Sequence, residues 1–378
     1  MPYWRLAGFY FFYFSVLGAL VPYWGLYLKS IGFTPVDIGT LMAVIMLSRI
    51  VAPNVWAYIA DHREDRMRVV RVASFLTVVL FAGVFAGTSF WWLALVMLTF
   101  SFFWHASLPL IEVQVMHHTR HKPGAYGRVR LWGSIGFIAS VAVLGSVLDV
   151  AGPWWILPVM STLMAGIWVF SLTLPESEMA GHMAHPGPFF KVVLRPEILA
   201  FLAACLLMQV SHGPYYTFYS IYLESHGYSK TVIGMLWAYA VVCEIIVFLF
   251  MPRLLKHVDQ RTVLMVSFAL AAVRWLVIGY FPDSLALLIF AQTLHAASFG
   301  SFYAAGMQMV YRFFVGKHQH RGQAVYGTVA FGVGGAIGSY YSGHTWETLG
   351  PGLTFAIAAA AAILALGVIS LRLKPVSR

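Results

Sequence analysis

A small set of ionisable side chains interrupts otherwise apolar runs: Arg49, His105, Glu112, Arg128, Arg130, His212, Glu244, Arg274 and His295. A charge at the centre of a bilayer costs roughly 2.5–3.5 kcal/mol on insertion scales, so residues of this kind mark ligand, ion or proton chemistry. Glu112 and Arg130 stand 18 residues apart across one turn. At that spacing two antiparallel helices bring opposite charges together, in a binding site or in a structural bridge near the cytoplasmic end. Glu244 lies within AVVCEIIVF, where an isolated carboxylate needs a proton or a counter-charge. Arg274 is its natural partner, in a functional pair or a plain helix pairing. His105 and His212 have Ser107 and Ser211 beside them and suit helix-to-helix hydrogen bonds or a proton relay. Tyr23 follows Pro22, and Tyr215 and Tyr216 follow Gly213-Pro214, at corresponding positions of two halves of the chain. Helices interrupted at matching positions point to a binding site, whereas interfacial belts account for most other aromatics.

The elements that must position these groups are membrane helices. Of 378 residues, 60% are hydrophobic and 10% charged, and mean hydropathy is +0.77. An ordinary soluble domain has about 25% charged residues, so a soluble globular protein is excluded. Apolar runs predict spans at 6–28, 38–60, 69–87, 91–116, 127–149, 153–174, 198–222, 231–252, 263–281, 285–314, 324–346 and 350–371. The polar, Pro/Gly-bearing stretch PESEMAGHMAHPGPFFKVVLRP, residues 175–196, separates two bundles of six spans, 1–174 and 197–378. It reads as a cytoplasmic linker, and nothing outside the spans is long enough for a soluble domain. Arg5 precedes an apolar run to Leu28 that lacks a small-x-small cleavage site, which predicts an uncleaved first span.

The net charge of +10 reflects topology. Most Lys and Arg fall in loops that share one side if both termini are cytoplasmic, leaving Lys29 and Lys230 opposite, as the positive-inside rule requires. Nucleic-acid binding is not indicated. Cys205 and Cys243 sit in apolar runs as small hydrophobic side chains, without a case for a disulfide. His117, His118 and His121 form a basic loop cluster better read as solvated than as a metal site. The glycines of FGVGGAIGS (331–339) fall inside a span and precede no Gly-Lys-Ser/Thr, so a phosphate loop and ATP-driven pumping are not expected. No nucleophile has an obvious base, so an enzyme is not expected, nor a cofactor.

The chain also repeats itself. YLKSIGFTPVDIG (27–39) matches YLESHGYSKTVIG (222–234) at Tyr, Leu, Ser, Gly, Ile and Gly, each copy lying between the first and second spans of its half. Weaker echoes pair His105-Ala106 with His295-Ala296 and Tyr126-Gly127 with Tyr326-Gly327. Parallel six-span repeats are the plan of the major facilitator superfamily.

Several strings carry a closer resemblance: YGRVRLWGSIGF (126–137), HGPYYTFYSIYLESHGYS (212–229), LWAYAVVCEIIVF (236–248), AAVRW (271–275) and TLHAASFGSFYAAG (293–306). They resemble the phenylpropionate permease group of that superfamily and, more distantly, the lactose permease branch. AYIADHREDR (57–66) keeps part of the superfamily's cytoplasmic motif, with Ala57 where glycine is usual. The resemblance implies a twelve-helix, all-α secondary transporter of a bacterial inner membrane, working by alternating access with its substrate between the halves, and as a monomer. It implies that Glu112, Arg130 and Phe137 bind substrate, with Phe137 stacking on it, and that Glu244, Arg274 and His295 couple protons. Ser298 stands where the lactose permease branch has a proton-releasing glutamate, so the proton would use Glu244, Glu112 or a histidine. The resemblance implies proton-coupled uptake of a small aromatic carboxylate such as 3-phenylpropionate, and two arginines among many rings suit a carboxylate and a phenyl group respectively. An oligosaccharide or nucleoside symporter, in which Glu112 would accept hydroxyls, is the alternative, and a drug or metabolite exporter comes third.

Overall fold

The structure is a computed structural model that describes residues 2–62, 66–119, 122, 124–175 and 189–373. Every regular element among these residues is a helix, the form in which one segment satisfies its own backbone polar groups without water. In chain order they are α1 (Tyr3–Ser30), α2 (Pro35–Asp61), α3 (Arg66–Phe81), α4 (Phe90–Thr119), α5 (Ala125–Ala151), α6 (Ile156–Thr173), α7 (Phe189–Val193) and α8 (Pro196–Ser211). There follow α9 (Gly213–Ser225), α10 (Lys230–His257), α11 (Gln260–Tyr280), α12 (Leu285–His295), α13 (Phe302–Phe313), α14 (Gln319–Tyr326), α15 (Gly335–Thr348) and α16 (Gly350–Arg372). Wide π turns, Ala296–Ser301 and Gly327–Gly334, join α12 to α13 and α14 to α15.

Eleven of the resulting helical stretches are long and apolar enough to cross a membrane. The remaining long stretch, Gln319 to Thr348, is equally continuous, but its seven glycines dilute its hydropathy. Span ends expected from hydropathy lie within about five residues of the helix ends throughout. Residues 176–188 of the expected linker, and His121 of the histidine cluster, lie outside the described residues. Cys205 and Cys243 are free thiols.

The described chain forms two compact units. The first holds α1, α2 from Leu47 on, α3 to α6, and Tyr228–Ala238 at the start of α10; the second holds Thr34–Met46 of α2, the rest of α10, α7 to α9 and α11 to α16. In the first, α1 packs on α5 and α6, and α3 on α4 and α6. The α1–α5 approach is close enough that a Cβ on Gly136 would meet the Phe11 backbone, and Ser15 donates to the Gly136 carbonyl at 3.0 Å. Small residues serve this purpose in membrane bundles, where packing rather than water drives helix association. In the second unit α16 packs on α8 and α11, and α15 on α9.

The internal repeat has a local physical basis. Gly32 and Gly227, its matched glycines, take φ of +93° and +81°, a left-handed turn that side chains with a Cβ resist. The glycines that close the two copies also sit at tight contacts: Gly39 of α2 against Ser339 and Gly343 of α15, and Gly234 of α10 against Val141 of α5 and the Tyr23 hydroxyl. Each following helix is capped by a carboxylate. Asp37 accepts from the Thr34 backbone at 3.1 Å within its own first turn. At α10, Asp149 of α5 accepts from the Lys230 and Thr231 backbone N–H groups, both at 2.8 Å, and from the Thr231 hydroxyl at 2.6 Å. Anionic groups belong at helix N-termini, where unpaired N–H groups and the helix dipole meet them.

The matched interruptions are not symmetric. Pro22 lies inside an unbroken α1, whereas α8 stops at Ser211 and α9 restarts at Gly213 with Pro214 in its first turn. Glycine and proline adjoin only at the second position, and there Gly213 is pressed against the Gly338 backbone of α15, fixing the chain where the helix is weakest.

Candidate functional site

In the first unit the polar side chains spread along α1, α2, α4 and α5. Glu112 is half-buried on α4, and its electrostatic neighbours are Arg130 and Arg49. Among the described residues no ion pair within 4.0 Å joins Glu112 to Arg130. Arg130 instead lays its guanidinium over two rings of α1, 4.1 Å from the Phe14 centroid and 5.9 Å from Tyr10. Gly133, one turn on, makes room for both Phe14 and the guanidinium. The expected close Glu112–Arg130 contact is thus absent, because the aromatic face of α1 draws the arginine aside at a worth of about 0.5–2 kcal/mol.

Nearby, His105 Nδ1 lies 2.9 Å from the Ser48 hydroxyl, which is 2.8 Å from Ser101. Tyr13 and Trp104 stack at 5.1 Å beside it. Phe137 is buried, with its backbone against Gly18 of α1. Tyr23 is fully buried and donates its hydroxyl to the Val141 carbonyl at 2.5 Å, a contact that ties α1 to α5.

In the second unit the polar groups converge. Arg274 of α11 is 0% exposed. Its guanidinium lies 4.0 Å from the Tyr215 ring centre and 4.6 Å from that of Trp275, and it donates to Gln292 at 3.0 Å and Ser298 at 3.5 Å. Gln292 and the Tyr215 hydroxyl are hydrogen-bonded to each other, which locks the ring beneath the arginine. Among the described residues Arg274 Nε has no hydrogen-bond partner, and no carboxylate lies within 4.0 Å of Arg274.

The expected pairing of Glu244 with Arg274 is therefore not formed. Glu244 meets His295 instead, Oε2 to Nε2 at 3.5 Å, and Gly300 of the first π segment packs against the Glu244 side chain. The physical reason is local: the wide turn begins after His295, so His295 ends the regular turns of α12 and faces α10, while Ser298 within the π turn faces Arg274. His295 stacks on Phe299 at 5.3 Å and lies 5.8 Å from Tyr215. Tyr216, half-buried, stacks on His212 at 5.6 Å. Helical π turns cluster at functional sites in proteins.

The structure thus brings Arg274, His295, Tyr215, Tyr216 and Glu244 into one region of the second unit, and Glu112, Arg130 and Arg49 into one region of the first. Sequence reasoning missed Gln292 and Phe14, the direct partners of the two arginines. Gln292 was findable as an amide inside the span that carries His295. Among the described residues no group of three His, Cys, Asp or Glu side chains could hold a metal ion.

A chain of membrane-length helices, with charged and aromatic groups gathered inside them, has the make-up of a secondary transporter. It matches the MFS_1 like family over residues 3–357 and belongs to that family. It is 31% identical to the probable 3-phenylpropionic acid transporter of Escherichia coli K12, over 94% of each chain. It is 24% identical to the maltose permease of Geobacillus stearothermophilus, over 90% of this chain and 86% of the relative. A crystal structure of the nucleoside transporter NupG superposes with a TM-score of 0.86 at 17% identity, covering 98% of this chain and 99% of the other. The protein is a multi-pass membrane transporter of a small molecule, not an enzyme.

Proposed function

We propose that this protein takes up a small aromatic carboxylate, such as 3-phenylpropionate, together with a proton. The observation that carries the reading is Arg274: a fully buried guanidinium resting on the Tyr215 and Trp275 rings, with no carboxylate within 4.0 Å among the described residues. A buried charge without a counter-ion is costly, and an anionic ligand removes that cost while its ring joins the aromatic wall. Arg274 is then the carboxylate anchor, Tyr215 and Tyr216 contact the ring, and Glu244 with His295 carries the proton. The 31% relative named for 3-phenylpropionic acid supports the substrate class.

Glu112, Arg130, Phe137 and Tyr23 form the counterpart in the first unit. If Glu112 must take a proton before Arg130 is free for an anion, proton and substrate bind cooperatively, which is the thermodynamic content of symport. The chain acts as a monomer by alternating access of halves 1–174 and 197–378, in a bacterial inner membrane with both termini cytoplasmic.

A nucleoside or oligosaccharide symporter is the second reading. Glu112, a carboxylate outside any ion pair within 4.0 Å among the described residues, is suited to accept hydroxyl groups, and the maltose permease relative has a sugar in its name. Calorimetry of the purified protein against 3-phenylpropionate, maltose and a nucleoside at about pH 5.5 and 8.5 separates the two. Tighter binding of the aromatic acid at the lower pH is expected, and binding of sugar or nucleoside alone would overturn the first reading.

A further inference from the structure

His212 sits at the break between α8 and α9 and is 0% exposed. Its Nδ1 lies 2.8 Å from the Met208 carbonyl, one turn back. A carbonyl can only accept, so Nδ1 holds the hydrogen, and in the neutral ring Nε2 is left as a bare acceptor. That Nε2 is buried and has no partner among the described residues. Three rings wall it in: Trp275 edge-on at 4.9 Å, Tyr216 at 5.6 Å and Phe299 at 6.0 Å. The adjacent Ser211 hydroxyl does not serve it, because Ser211 donates to Met208 at 2.6 Å and accepts from Trp275 Nε1 at 3.2 Å.

An acceptor buried among rings without a donor is expensive unless something brings one. Trp275 places His212 beside Arg274. The Arg274 guanidinium and the His212 ring lie 4.6 and 4.9 Å from the Trp275 ring centre, so they are under about 10 Å apart. An aromatic acid bent between the two residues, its carboxylate on Arg274 and a ring hydroxyl turned toward His212, reaches both.

We propose that His212 is a specificity-determining residue that accepts a hydrogen bond from a hydroxyl on the substrate's ring, so that the preferred substrate is a hydroxylated aromatic carboxylate. The inference rests on the aromatic-acid reading above, with Arg274 holding the carboxylate. Among the described residues His295 also has a partnerless nitrogen, Nδ1, but its other nitrogen faces Glu244, which places it in proton transfer. His212 faces no acid within 4.0 Å among the described residues.

The test compares 3-phenylpropionate with its 3-hydroxy, 4-hydroxy and 4-methoxy ring derivatives, by calorimetry on the full-length protein in detergent. The wild type is expected to bind a hydroxylated acid about tenfold more tightly than the unsubstituted one, with no gain from methoxy, which cannot donate. In His212→Phe the ratio of hydroxylated to unsubstituted affinity falls to about one. If the wild type binds all four acids equally, the inference is overturned while the aromatic-acid reading stands. If it binds none of them, the aromatic-acid reading itself fails. A hydroxyl preference that survives in His212→Phe removes His212 from the role, and the wild-type series decides even if that variant does not fold.

Discussion

The same short sequences sit in different helices in the two halves. His105-Ala106 and Tyr126-Gly127 run through regular turns of α4 and α5, whereas His295-Ala296 and Tyr326-Gly327 each mark the passage from an α-helix into a π segment. Pro22 is absorbed by α1, while Gly213-Pro214 separates α8 from α9. Around the irregular positions lie Arg274, His295, Ser298, Tyr215 and His212, all buried. Around the regular ones His105, Ser48, Ser101 and Tyr23 are buried as well, but the charged groups differ: Glu112 and Arg130 are half-buried and Arg49 is exposed. The repeated strings thus fall in regular helix at one place and at departures from α-geometry at the other, and the fully buried arginine lies beside the departures. On our reading the second unit anchors the substrate's charge and the first modulates it.

The largest effect should come from Arg274. Arg274→Ala is expected to weaken binding of an aromatic acid roughly 100-fold, and Arg274→Lys to recover little, because an ammonium cannot make the bidentate contact. Arg130→Ala should cost about tenfold, since Arg130 is half-buried and partly satisfied by rings. Equal losses, or the reverse order, in the same calorimetric titration would end the proposed division between the units.

Next comes Glu244→Gln, which keeps the contact with His295 but cannot release a proton. Accumulation driven by a proton gradient in proteoliposomes should drop to background, while counterflow exchange continues. Wild-type accumulation would take Glu244 out of the coupling role.

A smaller shift is expected at Glu112. The amide introduced by Glu112→Gln is a permanent mimic of the protonated acid, so affinity at about pH 8.5 should equal or exceed that of the wild type. The several-fold gain that the wild type shows on going to about pH 5.5 should vanish. If the variant binds less tightly at both values, Glu112 is accepting substrate hydroxyls and the sugar or nucleoside reading gains.

The smallest is Phe14→Ala, which removes the ring beneath Arg130 and should change affinity roughly two- to fivefold through a lost cation–π contact. A change as large as that of Arg274→Ala would mean that the first unit carries the anchor after all.

The spans and their ends were legible in the sequence because hydropathy reports directly on what can face lipid, and the repeated turn because Gly32 and Gly227 occupy a backbone region that favours glycine. The partners of the charged residues were not. Whether Arg274 meets Glu244 or Gln292 depends on rotation about the helix axis, and one π turn after His295 changes that rotation without altering composition. Phe14 escaped notice because α1 is aromatic along much of its length, so no single ring stood out as a seat for Arg130.

The wide turns also bear on how chains of this kind diverge. A π turn carries one more residue than an α turn of the same rise, which is what a single inserted codon leaves behind when the helix on either side keeps its hydrogen bonds. Ala296–Ser301 and Gly327–Gly334 are therefore positions where a membrane helix can gain or lose a residue without a loop to absorb it. A one-residue deletion within Ala296–Ser301 should restore straight α-geometry and draw Ser298 away from Arg274, leaving the span in place while binding of an aromatic acid weakens.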